Sequence, residues 1–595
     1  MADNILYYGD NLDILRHHIP SASVDLIYLD PPFNSNADYN VIFREQSGQR
    51  SAAQIKAFTD TWHWDTETDR AREEMLTGAP ENVARMLDAL VTFIGRNDLT
   101  AYLVMMTQRL VELHRVLKPT GSLYLHCDPT ASHYLKIVLD SIFGPTNYRG
   151  EIVWKRTTAH NDPKRPGRIH DIVLFYTKSD AYIWNKVFTP YSQDYIESHY
   201  RNVDNMGRRY RLDNLTAPAH GSSAGQYEWH GKFPPQGRMW SLTQDKMDAL
   251  QAVGRIRLTR SGMPEYIRYL DEMPGVPLQD VWDDIPPVNP MADERMGYPT
   301  QKPLTMLERI IAASSNPGDV VLDPFCGCGT AICAGQRLGR RWIGIDITHL
   351  AVSLMKSRLK SMFGLDPSYK AAPGLDPDKQ YHVAGEPTDE AGARQLALDD
   401  RYQFQYWAVS LVEATAQDAE RQQKKGADKG IDGTIAFIDG ATRRRETIVV
   451  QVKSGHVTSA HIRDLKGVLE REKAAMGLYI CLEPPTKDMR EEASSAGFYH
   501  SALWPGRHGD HRWPRIQLRT IAELLAGQGF EIPPRPVQFK QAERAAPVPG
   551  VASPALWDAP ASSPAAAGVP VPVPVPDLSD DEDLDDEESA DDDGA

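Results

Sequence analysis

The residues with the clearest chemical potential are Asp30, Pro31, Pro32 and Phe33, which follow the apolar run 24–29. Such a run is typical of a buried parallel strand, and two prolines end a strand in a fixed extended turn. The turn is therefore expected at the carboxyl end of a strand, where open α/β sheets bind ligands. The Asp30 carboxylate and the Pro31 carbonyl can accept N–H bonds from the exocyclic amine of a nucleobase, which localises the nitrogen lone pair for attack. Phe33 can stack on a base that has left the helix; the simpler interpretation is a Pro-Pro turn with a core phenylalanine.

A second stretch with ligand-binding character lies far downstream, at residues 320–330. It reads Val-Val-Leu-Asp-Pro-Phe-Cys-Gly-Cys-Gly-Thr, which predicts a strand that runs into a glycine-rich turn. Gly327 and Gly329 allow the backbone to approach a ligand closely, and a predicted helix follows. The next predicted strand, 341–346, ends in Asp346, at a position where an acid can bind ribose hydroxyls.

Together these stretches resemble the S-adenosylmethionine-dependent amino-methyltransferases of DNA, over about residues 3–363. The catalytic motif precedes the cofactor motif, which is the permuted order of the β class of that family. The resemblance implies S-adenosylmethionine as cofactor, with Asp346 at its ribose, Asp10 near its adenine and the segment 298–303 over its methionine part. The cofactor-binding residues that it implies are Asp10, Lys302, Pro303, Asp323, Phe325, Gly327, Gly329, Thr330 and Asp346.

The residue at position 30 also bears on the target base. Adenine N6 is favoured, because the cytosine-N4 members of the family more often carry Ser where this chain has Asp30. Methylation of cytosine N4 is the alternative. A protein- or RNA-methylating enzyme is more remote, because those amine methylators usually carry Asn at this position.

Between the two motifs, at residues 157–295, the α/β rhythm fades and basic residues alternate with aromatic ones. Residues 157–270 hold 16 Lys or Arg against 11 Asp or Glu. Lys and Arg can contact phosphates, while Arg, Asn and Gln can read base edges. The position of this segment matches the target-recognition region of the family, which implies double-stranded DNA as partner. An irregular insertion with ordinary solvated charges is the alternative.

A third stretch with chemical potential lies in the C-terminal part of the chain. Asp432 opens a predicted strand, and Gln451 and Lys453 lie on its hairpin partner. An acid there can hold Mg²⁺, and a lysine can place or deprotonate a water for attack on a phosphodiester.

This pattern resembles the Mrr-like branch of the PD-(D/E)xK nucleases over about residues 396–526. The resemblance implies Asp432 and Glu413 as Mg²⁺ ligands, Gln451 at the variant second position and Lys453 as the catalytic lysine. Glu413 is expected on a predicted helix at 404–416. A degenerate nuclease fold kept for DNA contact is the alternative. With both motif sets in one chain, we expect a restriction–modification or phage-defence enzyme, as a homodimer or with further defence subunits.

The predicted fold class is α/β: a Rossmann-like methyltransferase sheet with permuted motif order and an inserted recognition region, then a second α/β nuclease-like domain and a disordered acidic tail. The predicted divisions are the catalytic half 1–156, the recognition region 157–295, the cofactor half 296–363, a linker 364–395, the nuclease-like domain 396–530 and the tail 531–595.

Composition restricts the remaining possibilities. The net charge of −16 is unusual for a protein that binds DNA, but residues 577–595 hold 12 Asp or Glu and no Lys or Arg, which leaves −4 for the rest. A chain without a long apolar run or a basic, apolar N-terminal signal is expected in the cytoplasm, away from membranes. The five cysteines fit a reducing compartment, and Cys326, Cys328 and Cys333 lack a second Cys/His pair at zinc spacing.

Overall fold

The strand that carries the predicted catalytic turn lies near the middle of a ten-stranded sheet. The computed structural model describes residues 4–32, 64–159, 164, 166–219, 225–288, 301–368, 380–416, 430–439, 444–506 and 509–533. The first part of the chain alternates strands and helices: β1 (Ile5–Tyr8), α1 (Asn11–His18), β2 (Val24–Leu29), α2 (Thr66–Gly78), α3 (Glu81–Ile94), α4 (Asp98–Val116), β3 (Leu117–Cys127), α5 (Ser132–Phe143), a 3₁₀ turn (Pro145–Asn147), β4 (Tyr148–Lys155) and β5 (His170–Thr177).

Short strands and helices make up the next segment. They are β6 (Phe188–Thr189), α6 (Gln193–His199), β7 (Asn202–Val203), β8 (Arg209–Asn214), β9 (Thr216–Pro218), β10 (Arg238–Trp240), α7 (Gln244–Ala252), β11 (Ile256–Leu258), β12 (Pro264–Tyr269), a 3₁₀ turn (Leu270–Glu272), β13 (Val276–Pro277) and β14 (Val281–Trp282). Within this segment β11, β12, β8 and β7 form an antiparallel sheet of four strands.

The alternation of helices and parallel strands then resumes. Its elements are α8 (Leu304–Ser314), β15 (Val320–Asp323), α9 (Thr330–Arg337), β16 (Arg341–Asp346), α10 (His349–Phe363), β17 (Asp366–Ser368) and β18 (Gln380–Ala384). The order of strands across the main sheet is β14-β4-β5-β3-β2-β15-β16-β1-β18-β17.

The strands that lead into the two motifs, β2 and β15, pair with each other at the centre of this sheet. Leu26 and Ile27 of β2 pair in parallel with Val321 and Leu322 of β15, and β15 pairs in parallel with β16. The sheet is buried on both faces, because Ile27 packs into one apolar cluster and its neighbour Leu26 into the other. This double burial explains the continuous apolar run in the sequence.

The C-terminal part contains a smaller sheet with its own core. Its elements are α11 (Glu390–Asp399), α12 (Arg401–Ser410), β19 (Thr415–Ala416), β20 (Gly433–Asp439), β21 (Arg444–Lys453), α13 (Ser459–Glu472), β22 (Met476–Cys481), α14 (Lys487–Ser494), β23 (Phe498–Gly506), β24 (Gly509–Pro514), β25 (Ile516–Thr520) and α15 (Ile521–Leu525). The sheet runs in the order β19-β20-β21-β22-β25, with α11 and α12 contributing to one apolar cluster and α13 to the other. We refer to residues 390–533 as the C-terminal domain.

Two predicted boundaries differ from the structure. The linker predicted at 364–395 contributes β17 and β18 to the main sheet, where β18 pairs in parallel with β1. The strand β18 was missed because its apolar residues are few and follow a Pro-, Gly- and Asp-rich run. The predicted recognition region also contains β5 and β14, which belong to the main sheet.

Some predictions fall on parts of the chain outside the described residues: Phe33, the 298–300 end of the segment over the cofactor, and nearly all of the acidic tail. The segment 34–64, which its polar and aromatic residues predict to be a loop over the substrate site, also lies almost wholly outside them. In the described ranges, every helix is too short or too polar to cross a bilayer.

Candidate active site

The catalytic turn and the glycine-rich turn leave the sheet side by side. Asp30 directly follows β2, and Asp323 is the last residue of β15, the parallel neighbour of β2. The carboxyl ends of adjacent parallel strands share one edge of a sheet, so two motifs that are remote in sequence meet there. Tertiary structure therefore supports the pairing of motifs that the sequence predicted.

Asp30 has a cationic partner from the second half of the domain. Lys302 Nζ donates to Asp30 Oδ2 at 2.5 Å, and the two side chains are only 9% and 16% exposed. Lys302 precedes the first residue of α8, so the start of this helix fixes its position. A charge-assisted bond in such a shielded place is strong and holds the carboxylate in one orientation.

The backbone of the glycine-rich turn adopts a conformation that favours glycine at two positions. Gly327 and Gly329 have φ values of +49° and +76°, in the left-handed region. A Cβ at Gly329 would come within 2.6 Å of Met355 Cγ. The turn leads into α9, whose first residue, Thr330, accepts a bond from the buried Arg358 at 3.1 Å. The Thr330 hydroxyl thus supports the turn from within the protein.

Asp346 braces the same turn from the end of β16. Its Oδ2 accepts from Gly327 N at 2.9 Å, and its Oδ1 accepts from Thr348 N and Thr348 Oγ1, each at 2.9 Å. Burial raises the pKa of this carboxyl, although the hydrogen bonds from Thr348 and Gly327 oppose the rise. Asp346 therefore has a structural role in addition to the ribose-binding role that the resemblance implies.

Burial disfavours the ionised form of the Asp323 carboxyl group. It is 3% exposed and accepts from Phe325 N at 3.1 Å. Burial raises its pKa well above the usual range, and the nearby Asp30 and Asp346 raise it further. A cation placed beside these carboxylates would relieve their mutual repulsion.

Asp10 lies near the opposite end of the glycine-rich turn. It caps α1 by accepting from Leu12 N at 2.7 Å, and it pairs with Arg109 at 3.0 Å. The adjacent Asn11 donates to Pro324 O at 2.8 Å. Neither Arg109 nor Asn11 was predicted, since their sequence surroundings are those of ordinary helix residues.

The donor set fits S-adenosylmethionine. This molecule carries a sulfonium and an ammonium cation, which suit the carboxyl group of Asp323, and a carboxylate, which suits Lys302. At Gly329 a Cβ would collide with the buried Met355 side chain, so glycine is required there for the turn to pack against α10. The residues predicted to hold the cofactor stay a prediction; of these, Pro303 caps α8 with its backbone.

A chain of buried polar side chains lies beneath the catalytic turn. The Tyr28 hydroxyl lies 3.1 Å from His126 Nδ1, and His126 Nε2 lies 3.2 Å from Asp171 Oδ2. Burial lowers the pKa of His126. Burial by itself would raise the pKa of Asp171. The hydrogen bond with His126 and the nearby Arg156 outweigh burial and lower this pKa. A neutral imidazole that donates to Asp171 and accepts from Tyr28 satisfies all three groups.

Many arginines of the recognition region are already paired with acids. Arg208 contacts Asp271 and Glu272, Arg255 contacts Glu272, and Arg268 contacts Asp213. These side chains help to hold the four-stranded sheet together. Among the described residues of this region, the exposed basic side chains outside these pairs include Arg168, Lys186, Arg201, Arg209, Lys232, Lys246 and Arg260.

In the C-terminal domain, three of the four predicted nuclease residues come together. Asp432 accepts from Val452 N at 2.7 Å and from Gln405 Nε2, so it lies at the end of β21 that carries Gln451 and Lys453. Gln451 is 5% exposed and donates to Gly430 O.

Glu413 was predicted on a helix and as a metal ligand, and its observed position is different. α12 ends at Ser410, and Glu413 lies in the following turn with a φ of +53°. Its side chain is 55% exposed and pairs with Lys360 at 2.9 Å. Across the described ranges, no three His, Cys, Asp or Glu side chains converge to hold a metal ion. The structure therefore does not assemble the predicted Mg²⁺ site.

Comparison with families of known proteins divides the chain in the same way. Residues 24–357 match a family described as DNA methylase, and residues 407–525 match a family described as NACHT-associated inactive Restriction Endonuclease 1. The second match differs from the predicted Mrr-like nuclease, because its members are described as inactive.

Curated relatives match over the methylase part. Type II methyltransferase M.EcaI from Enterobacter cloacae is 34% identical over 361 residues, which are 60% of this chain and 69% of that protein. The Type III restriction-modification enzyme StyLTI Mod subunit from Salmonella typhimurium is 26% identical over 57% of this chain and 50% of that protein. DNA adenine methyltransferase YhdJ from Escherichia coli is 24% identical over 60% of this chain and 82% of that protein.

Among solved structures, the M1.HpyAVI–SAM complex is 17% identical and covers 60% of this chain and 98% of its own, with a TM-score of 0.27. The cytosine-N4-specific PvuII DNA methyltransferase is 11% identical and covers 60% of this chain and 86% of its own, with a TM-score of 0.29. The family match spans more than half of the chain and contains both motifs, and the protein therefore belongs to the DNA methylase family.

Proposed function

We propose that the protein transfers a methyl group from S-adenosylmethionine to the exocyclic amine of a base in double-stranded DNA, with adenine N6 as the favoured target. The observation that carries the proposal is the Asp30 carboxylate at the carboxyl end of β2, held by Lys302 beside the glycine-rich turn. The names of the relatives, which include an adenine methyltransferase and a restriction-modification subunit, agree with this proposal.

In this reaction, the residues of the chain position the target amine and the groups around it. Asp30 and the Pro31 carbonyl accept the amine N–H groups, which makes the nitrogen lone pair available. Lys302 holds the Asp30 carboxylate in place before the base arrives, so little reorganisation is needed at the moment of transfer. Asp346 keeps the glycine-rich turn in its left-handed shape. When bound, the cofactor would supply an electrophilic methyl group, and the base must leave the helix to reach it.

The identity of the target base is testable directly. Purified protein, S-adenosylmethionine and mixed-sequence duplex DNA are incubated, and the digested nucleosides are analysed by mass spectrometry. We expect N6-methyladenine with the wild-type chain and none with Asp30→Ala. N4-methylcytosine would instead establish the alternative target, and the absence of any methylated base would contradict the proposal.

For contact with DNA, the exposed basic residues of the segment 178–288 are the best candidates in the described chain. Arg209 and Lys232 are exposed and stand apart from the arginine–carboxylate pairs of the four-stranded sheet. Substitution of a phosphate-contacting residue should weaken binding to all sequences equally, whereas substitution of a base-contacting residue should relax one position of the site.

For the C-terminal domain, we favour an inert nuclease fold over the Mg²⁺-dependent endonuclease that the sequence predicted. The supporting observation is that Glu413 pairs with Lys360 while Asp432 is engaged by Gln405 and Val452. In Mg²⁺ buffer, we expect no cutting of a bare plasmid or of one methylated by the protein.

Cutting that disappears in the Lys453→Ala variant would restore the endonuclease prediction. If only the bare plasmid were cut, methylation would be protective, as in a restriction–modification fusion. If only the methylated plasmid were cut, the domain would be a modification-dependent nuclease.

A further inference from the structure

We propose that Gln403 of the C-terminal domain is a positioning residue for the cofactor site, so that the nuclease-like domain completes the methyltransferase. The inference rests on the proposed function, since it assigns to this domain a part in holding S-adenosylmethionine. It depends on a series of hydrogen bonds that runs from α12 to the glycine-rich turn.

The first bond joins the C-terminal domain to the start of α10. Gln403 Oε1 accepts from His349 N at 2.8 Å. Both residues are buried, with exposed fractions of 4% for Gln403 and 0% for His349. The first N–H groups of a helix have no partner inside the helix, so this N–H depends on an external acceptor. Without Gln403 it would be buried and unsatisfied.

The next bonds join the start of α10 to the cofactor turn. Thr348, the residue before His349, caps the helix by accepting from Ala351 N at 3.0 Å. The same residue donates its N–H and its hydroxyl to Asp346 Oδ1. Asp346 Oδ2 in turn accepts from Gly327 N at 2.9 Å. A shift at His349 therefore reaches Gly327 through two intervening residues.

A second contact joins the His349 side chain to Tyr8, the last residue of β1. The His349 ring stacks on Tyr8, with centroids 3.6 Å apart and planes at 20°. Tyr8 is followed by Gly9, whose N–H donates to Asp346 O at 3.0 Å. His349 thus lies between Gln403 and both backbone segments that approach Asp346. If the C-terminal domain moved away from α10, both of these backbone segments would be less firmly held.

The test uses the full chain and measures affinity for S-adenosylmethionine by calorimetry. Gln403→Met keeps the side-chain volume and removes the acceptor, so it leaves one N–H unsatisfied without creating a cavity. The start of α10 should then relax toward another partner for this N–H, and returning it to the binding geometry should weaken cofactor binding by roughly tenfold. Gln403→Glu keeps an acceptor at a helix N-terminus, where negative charge is favourable, and should restore affinity to within about threefold of wild type. KM for the cofactor should rise in Gln403→Met while kcat at saturating cofactor stays unchanged.

Gln517 provides a matched control in the same domain. It is 8% exposed, and its Oε1 accepts from Glu531 N at 2.9 Å, within the C-terminal domain. Gln517→Met should lower the melting temperature of the protein without changing cofactor affinity. If Gln403→Met and Gln517→Met lowered stability equally and neither changed affinity, Gln403 would be a structural residue and the inference would fail. If the wild-type chain did not bind the cofactor, the proposed function itself would fail.

Hydrogen exchange on the wild-type chain tests the inference without a variant. Coupling between two sites is reciprocal, so bound cofactor must stabilise the contact that supports it. With saturating S-adenosylmethionine, amide exchange should slow in residues 346–352 and also in α12, at 401–410. Slower exchange in 346–352 alone would overturn the inference.

Discussion

The Asp30–Lys302 pair offers the most direct test of how the site holds its catalytic carboxylate. Asp30→Asn keeps the shape and one carbonyl acceptor but removes the charge. Lys302→Met keeps most of the side-chain volume and removes the partner. Each change should reduce the rate of methyl transfer at saturating cofactor, and the effect of Asp30→Asn should be about 10²–10³-fold, as for loss of one preorganised hydrogen-bonding group.

The expected coupling free energy between Asp30 and Lys302 follows from their burial and separation. The two side chains are 16% and 9% exposed and 2.5 Å apart, so the pair lies between a surface ion pair and a fully buried one. Surface pairs contribute about 0–1 kcal/mol, and removal of one partner from a buried pair costs about 3–5 kcal/mol. A value near 2 kcal/mol is therefore expected, which is about 30-fold in rate. The double variant should be about 30-fold faster than the product of the two single effects predicts.

Single-turnover transfer of labelled methyl groups to a duplex measures this coupling. Saturating cofactor is needed because Lys302 also belongs to the predicted cofactor segment. Calorimetry with S-adenosylmethionine provides the control: Asp30→Asn should bind the cofactor nearly as well as wild type. Single effects that simply multiply in the double variant would refute the idea that Lys302 acts through Asp30.

Three other predictions concern the cofactor turn, recognition and acid stability. Asp346→Asn should weaken S-adenosylmethionine binding by at least about tenfold in calorimetry, because one oxygen that accepts from Gly327 or Thr348 is replaced by an NH₂ group; unchanged affinity would contradict the role of Asp346. Exchange of residues 178–288 for those of a relative should change the methylated sequence and leave the chemistry intact, as read by sequencing of modified DNA; methylation of the original site would place recognition elsewhere. Burial, with help from Lys178, lowers the pKa of His114 to about 4. The unfolded chain binds this proton more readily, so stability is complete above about pH 6.5 and is lost as pH falls toward 4. Allowing for partial exposure, His114→Gln should remove roughly 1–2 kcal/mol of that acid sensitivity in chemical denaturation; an unchanged pH profile would contradict it.

Local patterns in the sequence determined the motif-bearing strands and turns of the methylase part. The doubly buried strand β2 must be apolar throughout, and only Gly tolerates the left-handed turn at 327 and 329 without strain. These requirements act on residues close in sequence, so they are visible without a structure. The α/β class and the pairing of the two motifs followed from the same patterns.

Tertiary structure decided the long-range contacts. Partners of Asp30 and His126 come from segments that are distant in sequence: Lys302 for Asp30, and Tyr28 and Asp171 for His126. The helix predicted to carry Glu413 ends earlier, so an acid expected to bind metal pairs with a lysine instead. The segment predicted as a linker contains two strands. Pairing with β1 stabilises β18, whose own sequence favours a strand only weakly. Contacts of this kind depend on which surfaces meet, and composition and spacing along one chain do not encode that directly.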